Sequence, residues 1–362
     1  MESSNDEKYK ALASVIKQLM NLVIVMTLVI LAMIVYLLYV QSKVTATNSI
    51  DSDTEKISTT PSTTVPETKK EDFWIAPDVA TLEKDPNKEI ILYGKALIAN
   101  TAEYFGPNGK VKKNAINGMN CQNCHLEAGT KVFGNNYGAV FATYPKYRAR
   151  SGKIEDIYKR VNDCFERSLN GEPLSVDSKE MVAISSYINW LGKDVPKGEK
   201  AKGSGFKDLP FPDRAADPEK GKLVYNQKCM SCHQANGEGL MNTEKTAYTY
   251  PPLWGDKSYN DGAGLYRISN FAKYAKYNMP LGTSHENPQL SDEEAWDIAA
   301  FVNSQPRPKK DISKDWPKIA EKPFDHPFGP FADGFDEKQH KYGPFAPIKE
   351  KLDELKAVAS KK

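Results

Sequence analysis

Two short cysteine–histidine units carry the clearest chemistry in this chain of 362 residues. In a C-x-x-C-H unit on a helical turn, the two thiols reach the two vinyl groups of one porphyrin, and the histidine faces the iron. Zinc is the alternative, because two such units could together supply four ligands. Each unit stands in its own repeat, however, so the spacing predicts two covalently attached haem c groups. The predicted attachment and iron-binding residues are Cys121, Cys124, His125, Cys229, Cys232 and His233.

A methionine is the predicted sixth ligand of the second haem. Met279 is followed by Pro280 and lies between His233 and a predicted closing helix. A thioether stabilises ferrous iron and raises the reduction potential. Met241 and His285 are competing ligands, and a methionine that only fills the core is the remaining alternative.

The first haem has a different set of candidate ligands. No histidine lies between His125 and His233, and Met181 falls inside a predicted closing helix. Cys164 is the remaining soft ligand, and a thiolate on iron would lower the potential. The alternative is an inert buried cysteine.

The segment around Cys164 has helical spacing. Apolar residues recur with a helical period over 154–169, and Gly171 is the predicted stop. Arg160, Cys164 and Ser168 are four residues apart and therefore share one face. Arginines beside a cysteine favour its thiolate form and can bind a small oxyanion through forked hydrogen bonds. A solvated basic face paired with acidic neighbours is the alternative.

The elements that position these residues occur twice. Each half has an opening helical segment (94–98 and 221–225), then a C-x-x-C-H unit, then an amphipathic closing helix. The closing helices are predicted to begin on capping boxes, one from Asp177 to Glu180 and one from Ser291 to Glu294. The pattern predicts a mainly α fold with two cytochrome c-like helical domains in tandem.

The segments outside the two repeats have separate predicted roles: the N-terminal one attaches the chain to a membrane, and the C-terminal one covers the two domains. The apolar run from Leu22 to Val40 is long enough, at about 28 Å, to form a transmembrane helix with its N-terminus in the cytoplasm. A cleaved signal peptide is the alternative. The tail is rich in Pro, Phe and Gly, which predicts a loop-rich C-terminal strap, and its last dozen charged residues are predicted to form a frayed helix.

The predicted layout has six parts. They are 1–40 (cytoplasmic stub and transmembrane anchor), 41–72 (disordered linker), 73–196 (first cytochrome c domain), 197–216 (linker), 217–307 (second cytochrome c domain) and 308–362 (C-terminal extension).

One segment resembles a known family. Residues 160–171, RVNDCFERSLNG, are similar to a segment of the tetrathionate-forming thiosulfate dehydrogenases, a dihaem cytochrome c family that includes bifunctional tetrathionate reductases. Residues 251–255 (PPLWG), 260–264 (NDGAG) and 339–345 (QHKYGPF) also resemble that family. The resemblance implies that two thiosulfates are joined to tetrathionate with release of two electrons, or the reverse.

The resemblance also implies roles for individual residues. Cys164 would be the distal ligand of the catalytic haem, and Met279 would ligate the second haem. Arg150, Arg160 and Ser168 would hold the anionic substrate. Two departures matter: Asn278 stands where some members have lysine beside the methionine, and many members are soluble, whereas this chain has a predicted tether.

Two other functions compete with this one. A non-catalytic, membrane-tethered dihaem electron carrier would need His/Met ligation at both irons and no anion pocket. A cytochrome peroxidase would need an acid–base residue over an open iron, and none is identified in the sequence.

The sequence also predicts partners and a location. The partners are thiosulfate or tetrathionate, the membrane through the N-terminal helix, and a redox partner such as a small cytochrome or a membrane quinol/cytochrome system. The net charge of +2 predicts no nucleic-acid partner. The N-terminal apolar helix, with Lys8, Lys10 and Lys17 on its predicted cytoplasmic side, places the catalytic part in the periplasm or another extracytoplasmic space.

Overall fold

The structure is a computed structural model that describes residues 16–36 and 72–359. The chain divides into two units, Met1–Lys69 and Lys70–Lys362. Helix α1, Ile16–Tyr36, is the described part of the first unit, and it is long and apolar enough for a membrane span or a signal sequence. It begins six residues before the predicted start at Leu22. The predicted stub at 1–15, the end of the anchor at 37–40 and the predicted linker at 41–71 lie outside the described residues.

The second unit is mainly helical, as predicted. Its α-helices are α2 Lys88–Ala99, α3 Thr101–Phe105, α4 Leu126–Gly129, α5 Val140–Thr143, α6 Ile157–Asp163, α7 Lys179–Leu191, α8 Pro218–Lys228, α9 Met230–His233, α10 Ile268–Asn278, α11 Asp292–Ser304, α12 Glu337–Tyr342 and α13 Ala346–Ala359. Short 3₁₀ helices cover Val79–Lys84, Cys121–Asn123, Gly264–Tyr266 and Ile319–Glu321, and a π-helical turn covers Cys164–Ser168. The strands are β1 Lys146–Arg148, β2 Lys153–Glu155, β3 Leu240–Met241 and β4 Tyr248–Tyr250, which pair as two antiparallel hairpins, β1 with β2 and β3 with β4.

Each half packs its opening helix on its closing helix through a glycine. A Cβ on Gly94 in α2 would lie 2.0 Å from the Ala183 carbonyl oxygen in α7. A Cβ on Gly221 in α8 would lie 1.9 Å from the Asp297 carbonyl oxygen in α11. Both backbones therefore approach too closely for any side chain at the crossing. The same contact in both halves agrees with the sequence repeat.

The closing helices begin differently. In α11, the Glu294 amide donates to the Ser291 hydroxyl at 3.0 Å and the Ser291 amide donates to the Glu294 carboxylate at 2.8 Å, so this predicted capping box is present. The predicted box at Asp177 is wrong. Ser178 is the N-cap of α7, and its hydroxyl accepts from the Met181 amide at 3.2 Å.

Each half has its own hydrophobic core. In the first half α2 and α7 enclose residues such as Leu97 and Tyr187, and in the second α8 and α11 enclose Trp296. The second core also takes Ile348 and Leu352 from α13. The predicted helix at the end of the tail is therefore present as α13, with Leu352 buried on one of its faces, and the fraying of its end stays a prediction.

Candidate functional site

The first C-x-x-C-H unit opens into a cavity. Cys121, Cys124 and His125 line it together with Cys164. The His125 Nδ1 atom is 2.6 Å from the Asn135 carbonyl oxygen. A carbonyl oxygen only accepts, so Nδ1 carries the proton and Nε2 keeps a free lone pair, which is the tautomer that a metal ligand needs. Burial lowers the pKa of His125 to about 4, so the ring is neutral.

The cavity suits a porphyrin. Its walls are largely aliphatic, as at Ile98, Ile184 and Ile188. The Ser204 hydroxyl also lines the cavity, is buried, and has no hydrogen-bond partner within residues 16–36 and 72–359. A haem offers apolar faces to such walls and carboxylate groups to such a hydroxyl. The residues present therefore fit haem c.

Cys164 lies where α6 passes into the π-helical turn. The Asp156 side chain caps α6 by accepting from the Lys159 amide at 2.8 Å. The predicted helix start at residue 154 is wrong, because Ile154 lies in β2 and is 75% exposed. The Leu169 amide donates to the Cys164 carbonyl at 2.9 Å, which is the five-residue bond of a π turn.

The turn ends in a left-handed residue. Asn170 has φ 44°, whereas Gly171, the predicted stop, has no positive φ. Gly171 is needed for another reason: a Cβ there would lie 2.2 Å from the Ala115 carbonyl oxygen.

An arginine contacts the Cys164 sulfur. The Arg160 Nη1 atom donates to Cys164 Sγ at 3.1 Å, and Ser168 lines the same cavity. The Cys164 sulfur raises the pKa of Arg160 above its ordinary value, so the guanidinium is charged. The structure thus brings Arg160, Cys164 and Ser168 together. Their functional roles stay predictions.

Arg150 does not line the cavity that Arg160, Cys164 and Ser168 share. Its Nη1 atom donates to the Gly262 carbonyl at 3.1 Å, and its guanidinium lies over the Trp316 ring at 5.7 Å. Burial lowers the pKa of Arg150 to about 10. These contacts give it a position between the two halves and the strap, and its role towards substrate stays a prediction.

The second C-x-x-C-H unit opens into a second cavity, lined by Cys229, Cys232, His233 and Met279. The His233 Nδ1 atom is 2.8 Å from the Pro251 carbonyl oxygen, so Nε2 is again free. Burial lowers the pKa of His233, as it does for His125. This second unit therefore fits haem c as well.

Of the three candidate sixth ligands, only Met279 lines this cavity. Met241 lies in β3, and the His285 ring packs edge-on against Phe73 and Phe133 at 5.2 and 5.0 Å. The structure therefore favours Met279 over its competitors, and its ligation of iron stays a prediction.

The two cavities adjoin. Cys124 of the first unit also lines the second cavity, and the Tyr274 hydroxyl donates to the Asn123 carbonyl at 2.6 Å. The first half also holds the loop that carries Met279. Lys131 Nζ donates to the Thr283 carbonyl at 2.9 Å, and the side-chain Nδ2 of Asn278 donates to the Phe133 carbonyl at 3.2 Å.

Sequence reasoning missed the residues that hold the π turn from outside. The side-chain Nδ2 of Asn260 donates to the Glu166 backbone carbonyl at 2.9 Å. Asp315 of the strap accepts two hydrogen bonds from Arg167, both at 2.8 Å. Loop polar residues far away in sequence show no periodicity that would reveal such contacts. Asn260 falls within the NDGAG segment, which sequence similarity alone brought to notice.

The fold and the two cavities define a dihaem c-type cytochrome. Residues 111–196 match the family model for the SoxA/TsdA cytochrome c domain, and residues 218–306 match cytochrome c. The chain is 39% identical to a thiosulfate dehydrogenase of Psychrobacter arcticus, over 67% of this chain and 71% of that protein. It is 37% identical to one of Thiomonas intermedia, over 64% of this chain and 71% of that protein.

The chain therefore belongs to the thiosulfate dehydrogenase family, and it carries two covalently bound haem c groups. Among solved structures, it is similar to the thiosulfate dehydrogenase (TsdBA) of Marichromatium purpuratum, with a TM-score of 0.61 and 27% identity. That match covers 75% of this chain and only 54% of the other.

Proposed function

We propose that this chain joins two thiosulfate ions into tetrathionate, and that it also runs the reverse reaction. In the forward direction, 2 S₂O₃²⁻ gives S₄O₆²⁻ and two electrons. The observation that carries the proposal is the Arg160 guanidinium bonded at 3.1 Å to Cys164 Sγ, inside the cavity of the first C-x-x-C-H unit. The activity named for the similar dehydrogenases supports it.

The residues that line the two cavities support a ligand set for each haem. His125 and Cys164 would hold the first iron, and His233 and Met279 the second. When bound, the two haems supply redox capacity for two electrons, with the thiolate-ligated one at the lower potential.

The chain's own groups then handle the substrate's charge. Two thiosulfates in one site repel each other, so cations must compensate for their charge. The Arg160 side chain is half-buried and is held by its bond to Cys164, so its remaining N–H groups can donate to sulfonate oxygens in a forked arrangement. Ser168 adds a hydroxyl donor from the same wall.

Location and electron partner complete the proposal. Helix α1 would stay uncleaved and anchor the chain, so that the haem-binding part lies in the periplasm. Electrons would leave to a small cytochrome or a membrane quinol/cytochrome system. Alkaline carbonate extraction of membranes should leave the chain in the pellet. Release with a new N-terminus directly after Val44-Thr45-Ala46, whose sequence resembles a signal-cleavage site, would show a cleaved signal.

The catalytic proposal is tested on purified holoprotein with two assays, thiosulfate with ferricyanide and tetrathionate with a reduced viologen. Cys164→Gly should abolish turnover in both. Its haem content, measured as pyridine haemochrome, should not change, because attachment uses the other four cysteines. Arg160→Lys should retain only part of the activity, because an ammonium lacks the forked geometry.

The control is Lys113→Gln, which removes an exposed charge of the first half that does not line the cavity. It should match the parent in both assays. If Cys164→Gly protein turns over at the parent rate, the electron-carrier function should replace this proposal.

A further inference from the structure

The β1–β2 hairpin brings two cations to the first cavity. Alternate residues of a strand face the same side, and Lys146 and Arg148 of β1 both line the cavity. Tyr147, between them, points away, and its hydroxyl donates to the Glu321 carboxylate at 2.6 Å. The strand therefore separates two cavity-facing charges from one outward contact with the strap.

A third cation comes from the connection between the halves. Lys200 belongs to the predicted linker 197–216, yet it lines the same cavity as Lys146 and Arg148. Arg160 lines it too, so cations from three separate segments meet around one space. The hairpin, the linker and α6 supply them.

Few of the chain's own carboxylates oppose this group. Glu155 lies 3.9 Å from Arg148 Nε, while Lys146 and Lys200 have no carboxylate within ion-pair distance in the described part of the chain. Burial, followed by the charges of Arg148, Arg160 and Lys200, lowers the pKa of Lys146. A chain with 49 basic and 47 acidic residues has no general excess of positive charge, so this is a local concentration.

Such a group is stabilised by an anion with more than one charged end. Arg160 and Ser168 lie beside Cys164 and can take one sulfonate. Lys146, Arg148 and Lys200 lie on other segments of the wall and remain for another. Tetrathionate carries a sulfonate at each end, and a pair of thiosulfates also presents two anionic groups.

We propose that Lys146, Arg148 and Lys200 form an outer anion subsite for the second sulfonate of the substrate pair. The inner sulfonate lies at Arg160 and Ser168, and the outer one belongs to the second thiosulfate or to the far end of tetrathionate. The subsite binds and positions, and no bond is made or broken by these three residues. It rests on the proposed function, because that function defines the two sulfonates.

The experiment compares holoprotein variants Lys146→Gln, Arg148→Gln and Lys200→Gln with the parent. We expect the KM for thiosulfate to rise about 10-fold for Lys146 and Arg148, and about threefold for the exposed Lys200, since a charged hydrogen bond is lost in each. The kcat should change by less than about twofold. The salt dependence of kcat/KM should weaken, because fewer site charges attract the dianion. Lys146→Arg should restore most of the affinity, which a merely structural role would not require.

Lys113→Gln is the matched control, since it removes the same charge from an exposed position outside the cavity. If the parent is active and the three variants keep its KM, the subsite is wrong while the thiosulfate reaction stands. If the parent converts neither compound, the proposed function fails. Calorimetric titration with tetrathionate then tests the subsite independently of turnover. Binding that weakens in the three variants would then support the subsite, and absence of binding to the parent would overturn it.

Discussion

Asp315→Asn tests how the C-terminal strap supports the π-helical turn at Cys164–Ser168. Asp315 accepts two hydrogen bonds from Arg167, each at 2.8 Å, and the two side chains are only 12% and 11% exposed. Arg167 follows Cys164 by three residues in the π turn. The substitution keeps the shape of Asp315 but removes the charge and one acceptor.

The expected loss of stability follows from these contacts. Removing one member of a buried pair costs about 3–5 kcal/mol, because the other charge is left unpaired. Asp163 lies 3.9 Å from Arg167 Nε and offsets part of this, so we expect about 2–4 kcal/mol. For a folded unit of this size, each kcal/mol lowers Tm by about 2–4 °C. The Tm of the ferric holoprotein should therefore fall by roughly 4–16 °C.

Differential scanning calorimetry of parent and variant measures the change, with haem content checked beforehand. Asp353→Asn is the matched control, because Asp353 pairs with Lys349 at 2.7 Å on the exposed side of α13. An exposed pair contributes about 0–1 kcal/mol, so this control should move Tm little. Equal Tm values for the two variants would refute the view that the strap stabilises the turn.

Three further substitutions test other parts of the structure. Met279→Gly should lower the potential of the higher-potential haem and leave the other unchanged in spectropotentiometry; a shift of both would argue against separate ligand sets. Gly94→Ala should unfold the protein at lower temperature than Gly264→Ala, because a Cβ at Gly94 meets the Ala183 carbonyl at 2.0 Å and one at Gly264 meets nothing within 4 Å. Burial lowers the pKa of His326 from 6.5 to about 4, so between these pH values the imidazole is protonated in the unfolded chain but neutral in the folded protein. The free energy of unfolding should therefore fall by on the order of 2–3 kcal/mol as the pH drops from 6.5 to 4. In urea titrations, His326→Gln should lose this part of the pH dependence of the free energy of unfolding. An unchanged pH dependence would contradict the assignment to His326.

Local chemistry made much of the fold predictable. The cysteine spacing identified both haem units, and the Ser291 capping box marked the start of α11 correctly. Residue 154 misled because its apolar side chain continues the helical period, although the chain there forms a hairpin and Ile154 is exposed. A π turn contains only one residue more than an α turn, and the spacing of apolar residues does not reveal this difference. The π-helical turn at Cys164 was therefore not predicted.

The site was less predictable than the fold. Arg160 and Ser168 could be paired with Cys164 because their spacing is local. Lys200 lies in the predicted linker and Asp315 in the predicted C-terminal strap, and only the folded chain shows what these two segments contact.

The contacts around the π turn bear on how such a protein can be rearranged. Asn260 of the second half donates to the Glu166 carbonyl, and Asp315 of the strap pairs with Arg167. The first half therefore does not contain everything that shapes the turn carrying Cys164. A gene fusion that replaced the second half with another haem domain would have to bring equivalents of both contacts. A new redox domain is more easily added at a chain end, where the contacts of the π turn with Asn260 and Asp315 are kept, than exchanged for the second half.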